Sequence, residues 1–294
     1  MPIADWTVPF LLTSQVYSSD LLPFNTNVAT VLPSGSTGYY FLNESSCSLT
    51  NSVRETKDNI PQANGSILHR RWVQGMEMNL AVQLWQTPDD IACDDLQQEM
   101  LDFLMGYLYG LLNAVDNQGR ISWVPSGVEA RMLDNLRLLS YPVESHPPGS
   151  PMELTFSLDT QYPYELALTQ RLTTITSGGS AVLVNTGTVP VHPVIQVNMN
   201  NTVPIAAPCA DFILTDNFDA FEWTSSLPGS AVIASGDYAE LDSFRNTMFL
   251  NGDEANLSPG IDMLVSEYLT LYPGSNTISI TGTDCDVLWN PGWA

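Results

Sequence analysis

The sequence predicts a mainly β protein made of two domains, and three observations carry this prediction. The chain has 294 residues, whereas one domain averages roughly 150 residues. Short segments of alternating apolar and polar residues recur between clusters of Pro, Gly, Asn and Ser, a pattern typical of strands joined by turns. Only one segment has helical periodicity, so we expect one long helix in a chain that is otherwise β.

Alternating segments in the first half of the chain predict its strands. Residues 76–84 alternate apart from Ala81, and residues 152–158 alternate throughout. Both are therefore expected to be strands with one buried face. Residues 38–42 are expected to form another strand. The apolar pattern at residues 131–139 fits either a strand or a short helix.

The helical segment spans residues 87–116. Thr87 can cap its amino end, Pro88 suits the first helical position, and acidic residues follow at the positive end of the dipole. Its stripe of apolar side chains is broad, which favours core packing over cofactor binding and also suits burial against a neighbouring subunit. The stripe consists of Leu96, Met100, Phe103, Leu104, Tyr107, Leu108, Leu111, Leu112 and Val115.

A segment rich in Thr, Ser and Gly at residues 173–180 predicts the domain boundary. We assign residues 1–176 to the first domain and residues 177–294 to the second. In the second domain, residues 195–199 and 277–281 alternate and turn-forming pairs separate the apolar segments. Short strands at this spacing predict a β-sandwich.

The charge of the chain argues against two classes of partner. The formal net charge is −23 at pH 7, and Lys57 is the only lysine. Nucleic-acid binding needs clustered Lys and Arg, and anionic membrane surfaces repel such a chain. A pore lined by carboxylates would nevertheless let DNA slide past without holding it.

No targeting segment, membrane span or cysteine-based site is expected. Residues 1–5 lack the basic and apolar regions of a signal peptide. The most apolar stretch, residues 103–115, is shorter than the roughly 20 residues of a membrane span. No two cysteines have CxxC spacing, so we expect free thiols rather than a zinc or redox site. The cysteines are Cys47, Cys93, Cys209 and Cys285.

No motif predicts catalysis, a cofactor or a metal. His69, His146 and His192 lack the context of a metalloprotease motif or a catalytic triad. Loops at residues 216–219 and 251–256 are rich in oxygen ligands, but neither has the spacing of a calcium loop, so we interpret them as solvated turns. We therefore assign no catalytic, cofactor-binding or metal-binding residue, and we expect neither enzyme activity nor a cofactor.

Two aromatic motifs leave alternatives open. Trp223 follows Glu222, and such a pair could hold a sugar ring by stacking and hydrogen bonding, but the pattern favours the alternative, a core position in the sandwich. The Arg-Arg-Trp motif at residues 70–72 could contact nucleic acid, but an inter-subunit salt bridge or a charged strand edge fits a chain with nine basic residues better.

Three segments of the second domain carry a resemblance to a known family. They read NTGTVPVHPVI at residues 185–195, LYPGSNTI at 271–278 and VLWNPGW at 287–293. They resemble the opening, a late strand and the closing strand of the galectin-like β-sandwich in distal tail proteins of long-tailed (siphovirus-type) bacteriophages. The resemblance implies that the first domain is similar to tail-tube proteins: a β-sandwich or split barrel flanked by one helix, here residues 87–116.

Local chemistry agrees with these segments. Asn185 and Gly187 are expected to form a turn between the domains, and Pro273-Gly274 suits a tight turn before the last hairpin. Trp289 and Trp293 supply large apolar area with which to close the sandwich.

The resemblance also implies a function. Distal tail proteins form a ring, usually a hexamer, that joins the tail tube to the tail-tip hub or baseplate, often carries receptor-binding proteins, and lets DNA pass through its centre. The chain would then be a structural virion protein of the tail tip, assembled in the host cytoplasm. The alternatives are a carbohydrate-binding module or receptor-recognition protein, another virion protein such as a tube subunit or minor capsid protein, and, last, a glycosidase.

Overall fold

The structure is a computed structural model that divides into two compact units, residues 1–168 and 169–293. Strands make up 55% of it and helix 8%, so the predicted mainly β fold is confirmed. The residues that it describes are 10–13, 22–24, 26, 29–43, 46–59, 66–87, 90–91, 94–112, 119–124, 129–140, 142–145, 151–160, 164–217, 220–252, 254–264 and 266–293.

The described part of the first unit contains twelve strands and one helix. In chain order these are β1 (Phe10–Thr13), β2 (Leu22–Phe24), β3 (Thr30–Val31), β4 (Thr37–Leu42), β5 (Ser48–Asn59), β6 (Ser66–Thr87), β7 (Asp90–Ile91), α1 (Asp94–Leu112), β8 (Gly119–Trp123), β9 (Arg131–Leu138), β10 (Val143–Ser145), β11 (Glu153–Thr160) and β12 (Glu165–Ala167).

These strands form one antiparallel sheet around β6. Its main path runs β2-β1-β8-β9-β11-β6-β4-β3, while β5 and β7 also pair with β6, β10 pairs with β11, and β12 pairs with β9. Different lengths of β6 thus pair with different strands, because its 22 residues exceed the reach of any single partner. The apolar pattern at residues 131–139 fitted either a strand or a short helix, and the segment forms strand β9.

The apolar residues that alternate along residues 76–84 lie in the core of the first unit. Its apolar positions on β6 are fully or almost fully buried, and β11 opposes them with the same alternation. Helix α1 packs its own buried side chains into the same cluster. This core includes Met78, Leu80, Val82, Leu84, Leu154, Phe156, Leu158, Met100, Leu104 and Leu108.

Helix α1 begins later than the sequence predicts. Thr87 is the last residue of β6 and pairs with Asp90 at the start of β7, so Thr87 belongs to a strand and does not cap the helix. The residue before a proline prefers extended backbone, which favours this outcome over a helix cap. The predicted end at Asp116 lies outside the described residues. Among the residues described, no helix is both long enough and apolar enough to span a membrane.

The second unit contains two antiparallel sheets and one hairpin. The sheets are β13-β24-β15-β20-β21-β22 and β14-β23-β18-β19, and the hairpin is β16-β17. The strands are β13 (Arg171–Ile175), β14 (Ser180–Asn185), β15 (Val194–Val197), β16 (Met199–Asn200), β17 (Val203–Pro204), β18 (Asp211–Thr215), β19 (Ala220–Thr224), β20 (Ala239–Asp242), β21 (Thr247–Leu250), β22 (Ala255–Asn256), β23 (Gly274–Thr281), β24 (Cys285–Trp289) and β25 (Gly292–Trp293).

Each of the two sheets buries one face within the second unit. Strands β15 and β20 alternate buried and partly buried residues, as does β19 in the other sheet. Two sheets that bury one face each in a single compact unit have the burial pattern of a β-sandwich.

The Thr-, Ser- and Gly-rich segment is a turn inside the second unit. Gly178 has φ +74°, a conformation that glycine adopts without strain. Gly179 N–H donates to the Thr176 carbonyl at 2.8 Å, which closes the turn between β13 and β14. Strand β13 pairs along its length with β24, and the division between the units falls after Leu168, ahead of the predicted boundary at residue 176.

Candidate functional sites

Trp223 is a core residue and offers no face to a sugar. Its position on β19 points inward, and the side chain is 1% exposed. The indole N–H donates to the Leu257 carbonyl at 3.0 Å, and the ring stacks on Phe212 with centroids 5.5 Å apart. The core alternative is therefore confirmed, and the proposed stacking platform is wrong because strand alternation turns Trp223 into the sandwich and Glu222 outward.

A groove does lie over this part of the second unit. Its volume is about 320 Å³, and its polar lining includes the acidic residues Asp211, Glu222 and Asp262. The Glu222 backbone is held in place because its N–H donates to Ser266 Oγ at 2.9 Å while its carbonyl accepts from the same hydroxyl at 3.1 Å. Aromatic side chains that line the groove, Phe212 and Trp223, are 1% exposed each. The groove therefore lacks a stacking surface.

Two asparagines explain the motifs that carry the family resemblance. Asn185 Nδ2 donates to the carbonyls of Val189 and Leu271, at 2.8 and 3.0 Å, and its Oδ1 accepts from Gly187 N–H. Asn276 likewise accepts from Tyr272 N–H at 2.9 Å and donates back to its carbonyl at 2.7 Å. Each amide satisfies backbone groups that a turn leaves unpaired.

The expected turn between domains at Asn185 and Gly187 is therefore misplaced. Asn185 ends strand β14, and the strand pairs throughout with β23, so the turn joins parts of the second unit. Gly187 is required there because a Cβ atom would lie 2.0 Å from the carbonyl oxygen of Gly292.

The buried carboxylate of Asp286 on β24 accepts hydrogen bonds from the loop at Asn201 and Thr202 and from Thr174 on β13. Asp286 is 0% exposed and accepts from the backbone N–H groups of Asn201 and Thr202, at 3.2 and 2.6 Å, and from the Thr174 hydroxyl. Asn201 and Thr202 have φ of +49° and +62°, so these contacts hold backbone that non-glycine residues rarely adopt. The cluster has a structural explanation and is not a free acidic site.

An ion pair inside the first unit was not foreseen from the sequence. Arg131 on β9 donates to Glu165 on β12, and their side chains are 12% and 2% exposed. Burial raises the pKa of Glu165 above its usual range, while the arginine acts in the opposite direction. The partners are 34 positions apart, so only the β9–β12 pairing brings them together.

Among the described residues, the histidines and the oxygen-rich loops do not form a metal-binding group. His192 is exposed, with Nδ1 3.3 Å from Thr270 Oγ1. Asn251 Nδ2 donates to carboxylates of Asp237 and Glu254, at 3.0 and 2.8 Å. No group of three or more potential ligands is placed to hold a metal ion within the described ranges. His146 and part of the 216–219 loop lie outside them.

Three of the four cysteines are described, and no disulfide joins any two of these three. Cys209 and Cys285 are buried, whereas Cys47 is partly exposed. Burial raises the pKa of the Cys209 thiol to about 11 and that of the Cys285 thiol to about 12. Such thiols are poor nucleophiles and poor metal ligands near neutral pH. Cys93 lies outside the described residues.

The most prominent candidate interaction element is a long ribbon formed by β5 and β6. The pairing of β6 with β11 ends at Met76, and residues 52–59 and 66–75 pair with each other beyond that point. We name residues 52–59 and 66–75 the arm. A register shift between Ser52 and Val53 marks its base, and its strands extend about 26 Å at roughly 3.3 Å per residue. The Arg-Arg-Trp motif and His69 lie on this arm.

Comparison with known proteins identifies a similar fold among phage proteins. No family model and no curated protein sequence matches this chain. The crystal structure of phage SPP1 Dit (gp19.1), described as a paradigm of the hub adsorption apparatus in phages that infect Gram-positive bacteria, matches with TM-score 0.59 at 11% identity, over 95% of this chain and 97% of that one. The matched residues therefore include both units.

Two structures of the phage p2 baseplate in its activated conformation match less well. The structure with Sr has TM-score 0.45 at 10% identity, over 95% of this chain and 97% of its own. The structure with Ca has TM-score 0.44 at 8% identity, over 96% and 97%. These scores are too low to add to the comparison of folds.

Proposed function

We propose that this chain is a structural subunit of a phage tail tip. It would form a homo-oligomeric ring, a hexamer as is usual for the distal tail proteins that it resembles, that joins the tail tube to the tail-tip hub or baseplate and offers a site for receptor-binding proteins. The observation that carries the proposal is the likeness to SPP1 Dit, which extends over 95% of the chain and so includes both units. A likeness confined to one sandwich would fit many functions, because such folds serve many ends.

The surface chemistry supports a structural role. The aromatic side chains that line the groove beside Trp223 are buried, and among the described residues no group of three or more His, Cys, Asp or Glu is placed to hold a metal ion. The net charge of −23 suits a ring through which DNA passes, because carboxylates around an opening repel phosphates. We also propose that the second unit is the galectin-like domain and that assembly takes place in the host cytoplasm.

Immunogold electron microscopy of purified particles of the encoding phage tests the proposal. An antibody against this chain is expected to label the end of the tail opposite the head. Labelling of the head, labelling along the whole tail, or absence of the chain from purified particles would contradict it. Pre-immune serum and particles of a phage without this gene serve as controls.

A further inference from the structure

Two adjacent apolar side chains project from a turn of the second unit. Met263 is 75% exposed and Leu264 is 94% exposed, the two highest values among the exposed large apolar residues that the structure describes. Single exposed apolar residues are common on proteins, but two exposed neighbours offer apolar area that a partner can cover. Met is also enriched where proteins bind one another, because its flexible side chain adapts to the partner.

The turn that carries these side chains is fastened to strand β19. Asp262 N–H donates to the Glu222 carbonyl at 3.1 Å, and Ser266 Oγ is bonded to both backbone groups of Glu222. Within the turn, Asp262 Oδ1 accepts from Leu264 N–H at 3.0 Å. Met263 and Leu264 are therefore presented on backbone that is already held in place, which lowers the entropy cost of binding.

The turn borders the acidic groove of the second unit. Asp262, which precedes Met263, lines the groove together with Asp211 and Glu222. Among the described residues, no Lys or Arg forms an ion pair with any of these three carboxylates. Ile213 stands opposite Glu222 on the neighbouring strand, is 39% exposed and also lines the groove. The apolar turn and the acidic groove thus share Asp262, and we name them together the turn–groove surface.

Charge selects the kind of partner that fits the turn–groove surface. Nucleic acids and anionic membranes have the same sign of charge as the groove, so the groove repels them. The body of a second copy is repelled as well, because the chain has a formal net charge of −23. A different protein with Lys or Arg beside apolar residues matches both parts of the surface, since carboxylates form strong hydrogen bonds with charged donors.

We propose that the turn–groove surface binds a basic and apolar segment of a protein that is not a copy of this chain. An apolar side chain of the segment packs on Met263 and Leu264, while a neighbouring Lys or Arg enters the groove and pairs with Asp211 or Glu222. The inference goes beyond the proposed ring, because it concerns the second unit alone and a partner of opposite charge.

A short peptide of alternating leucine and arginine is the probe for this surface. Its fluorescein-labelled form is titrated with the purified full chain at about 150 mM salt, where attraction between distant surface charges is screened. Fluorescence anisotropy gives the dissociation constant. Comparison peptides replace either every leucine by serine or every arginine by glutamate. The leucine–arginine peptide should bind about tenfold tighter than the serine–arginine peptide, because it also buries apolar area, and the leucine–glutamate peptide should not bind.

A pair of double variants tests the apolar turn. Met263→Ser/Leu264→Ser removes both projecting side chains and should weaken binding of the leucine–arginine peptide about tenfold. Val124→Ser/Val232→Ser is the matched control, because these valines are 60% and 49% exposed and lie outside the turn–groove surface. The control should leave the dissociation constant within about twofold.

A second pair of double variants tests the acidic groove. Asp211→Asn/Glu222→Gln removes two groove charges and should weaken binding about fivefold or more. Glu144→Gln/Glu240→Gln removes the same net charge from strands β10 and β20, outside the groove, and should leave the dissociation constant within about twofold. Calorimetry of each variant checks that the second unit still melts as in the wild type.

Several results would overturn the proposal. Absence of binding, or equal binding of the serine–arginine peptide, would remove the role of the apolar turn. Equal losses in a variant and its matched control would mean attraction to the net charge of the chain alone. Self-association or binding to phosphatidylglycerol vesicles that Met263→Ser/Leu264→Ser abolishes would assign the turn to a second copy or to a membrane.

Peptide binding by the purified chain does not depend on where the chain lies in a particle. Gold label at the tail end without peptide binding would reject the turn–groove surface and keep the tail-tip role. Specific peptide binding without gold label would keep the surface and reject the role.

Discussion

Truncation of Trp223 should unfold the second unit at much lower temperature. The side chain is 1% exposed, stacks on Phe212 and donates to the Leu257 carbonyl. Trp223→Ala removes the buried rings and leaves a cavity, which typically costs about 3–5 kcal/mol. Trp223→Phe keeps most of the apolar area and loses the indole hydrogen bond to the Leu257 carbonyl, which still accepts from Gly260 N–H at 3.0 Å. This variant should therefore cost only about 0.5–1.5 kcal/mol for the lost hydrogen bond.

Differential scanning calorimetry measures both variants. For a unit of this size, Trp223→Ala should lower the melting temperature by roughly 10–20 °C, and Trp223→Phe should lie between it and the wild type. Leu264→Ala is the matched control, because Leu264 belongs to the same unit and is 94% exposed; its effect should stay within about 0.5 kcal/mol. Unchanged melting of Trp223→Ala, together with loss of glycan binding, would refute the core assignment.

Three further predictions concern other packed groups. Gly187→Ala should prevent folding of the second unit or lower its melting temperature far more than Gly274→Ala. The Cβ at Gly187 would meet backbone at 2.0 Å, whereas that at Gly274 meets no atom and costs only the strain of a φ of +99°, about 1–3 kcal/mol; equal effects in calorimetry would contradict this. Because burial holds the pKa of Glu165 above its usual range, the free energy of unfolding of the wild type relative to Glu165→Gln should fall as pH rises from below 4.5 through the raised pKa; urea titrations across pH measure this, and a rise would reverse the sign. Cys209 and Cys285 should resist a disulfide reagent at pH 8 until urea is added, whereas prompt reaction of the native protein would show that they are accessible.

Strands with one buried face were predictable because apolar and polar residues alternate along them, and this alternation is a local property of the sequence. Residues 76–84 and 152–158 have this pattern, and both form strands whose apolar positions are buried. Ala81 interrupts the alternation and is nevertheless buried. Period 2 therefore identified the core of the first unit without knowledge of strand order.

The start of the helix could not be predicted locally because one segment fits two structures. A Thr-Pro-Asp-Asp sequence suits a helix start and also a tight turn between strands. The outcome depends on β6, which extends through Thr87 and pairs with β7. The pairing of β6 with β7 decides between a helix start and a turn, and this pairing cannot be inferred from the four residues of the segment.

Contacts between residues that are far apart in the sequence could not be predicted either. The Arg131–Glu165 pair and the contact of Asn185 with Leu271, 86 positions away, exist only after strands have paired. The arm was also not predictable from the sequence. Its residues show no pattern that distinguishes two strands that pair with each other alone from strands that have further partners in a sheet. Of the candidate sites, the Arg-Arg-Trp motif was singled out from the sequence, but its place on the arm came from the register.

Cryo-electron microscopy of the tail tip of the encoding phage tests the central claim most directly. The account predicts a ring of copies of this chain around the tail axis, with a central opening between the tube and the hub. Density for the chain away from the axis, or copies on the axis that leave no opening for DNA, would contradict it.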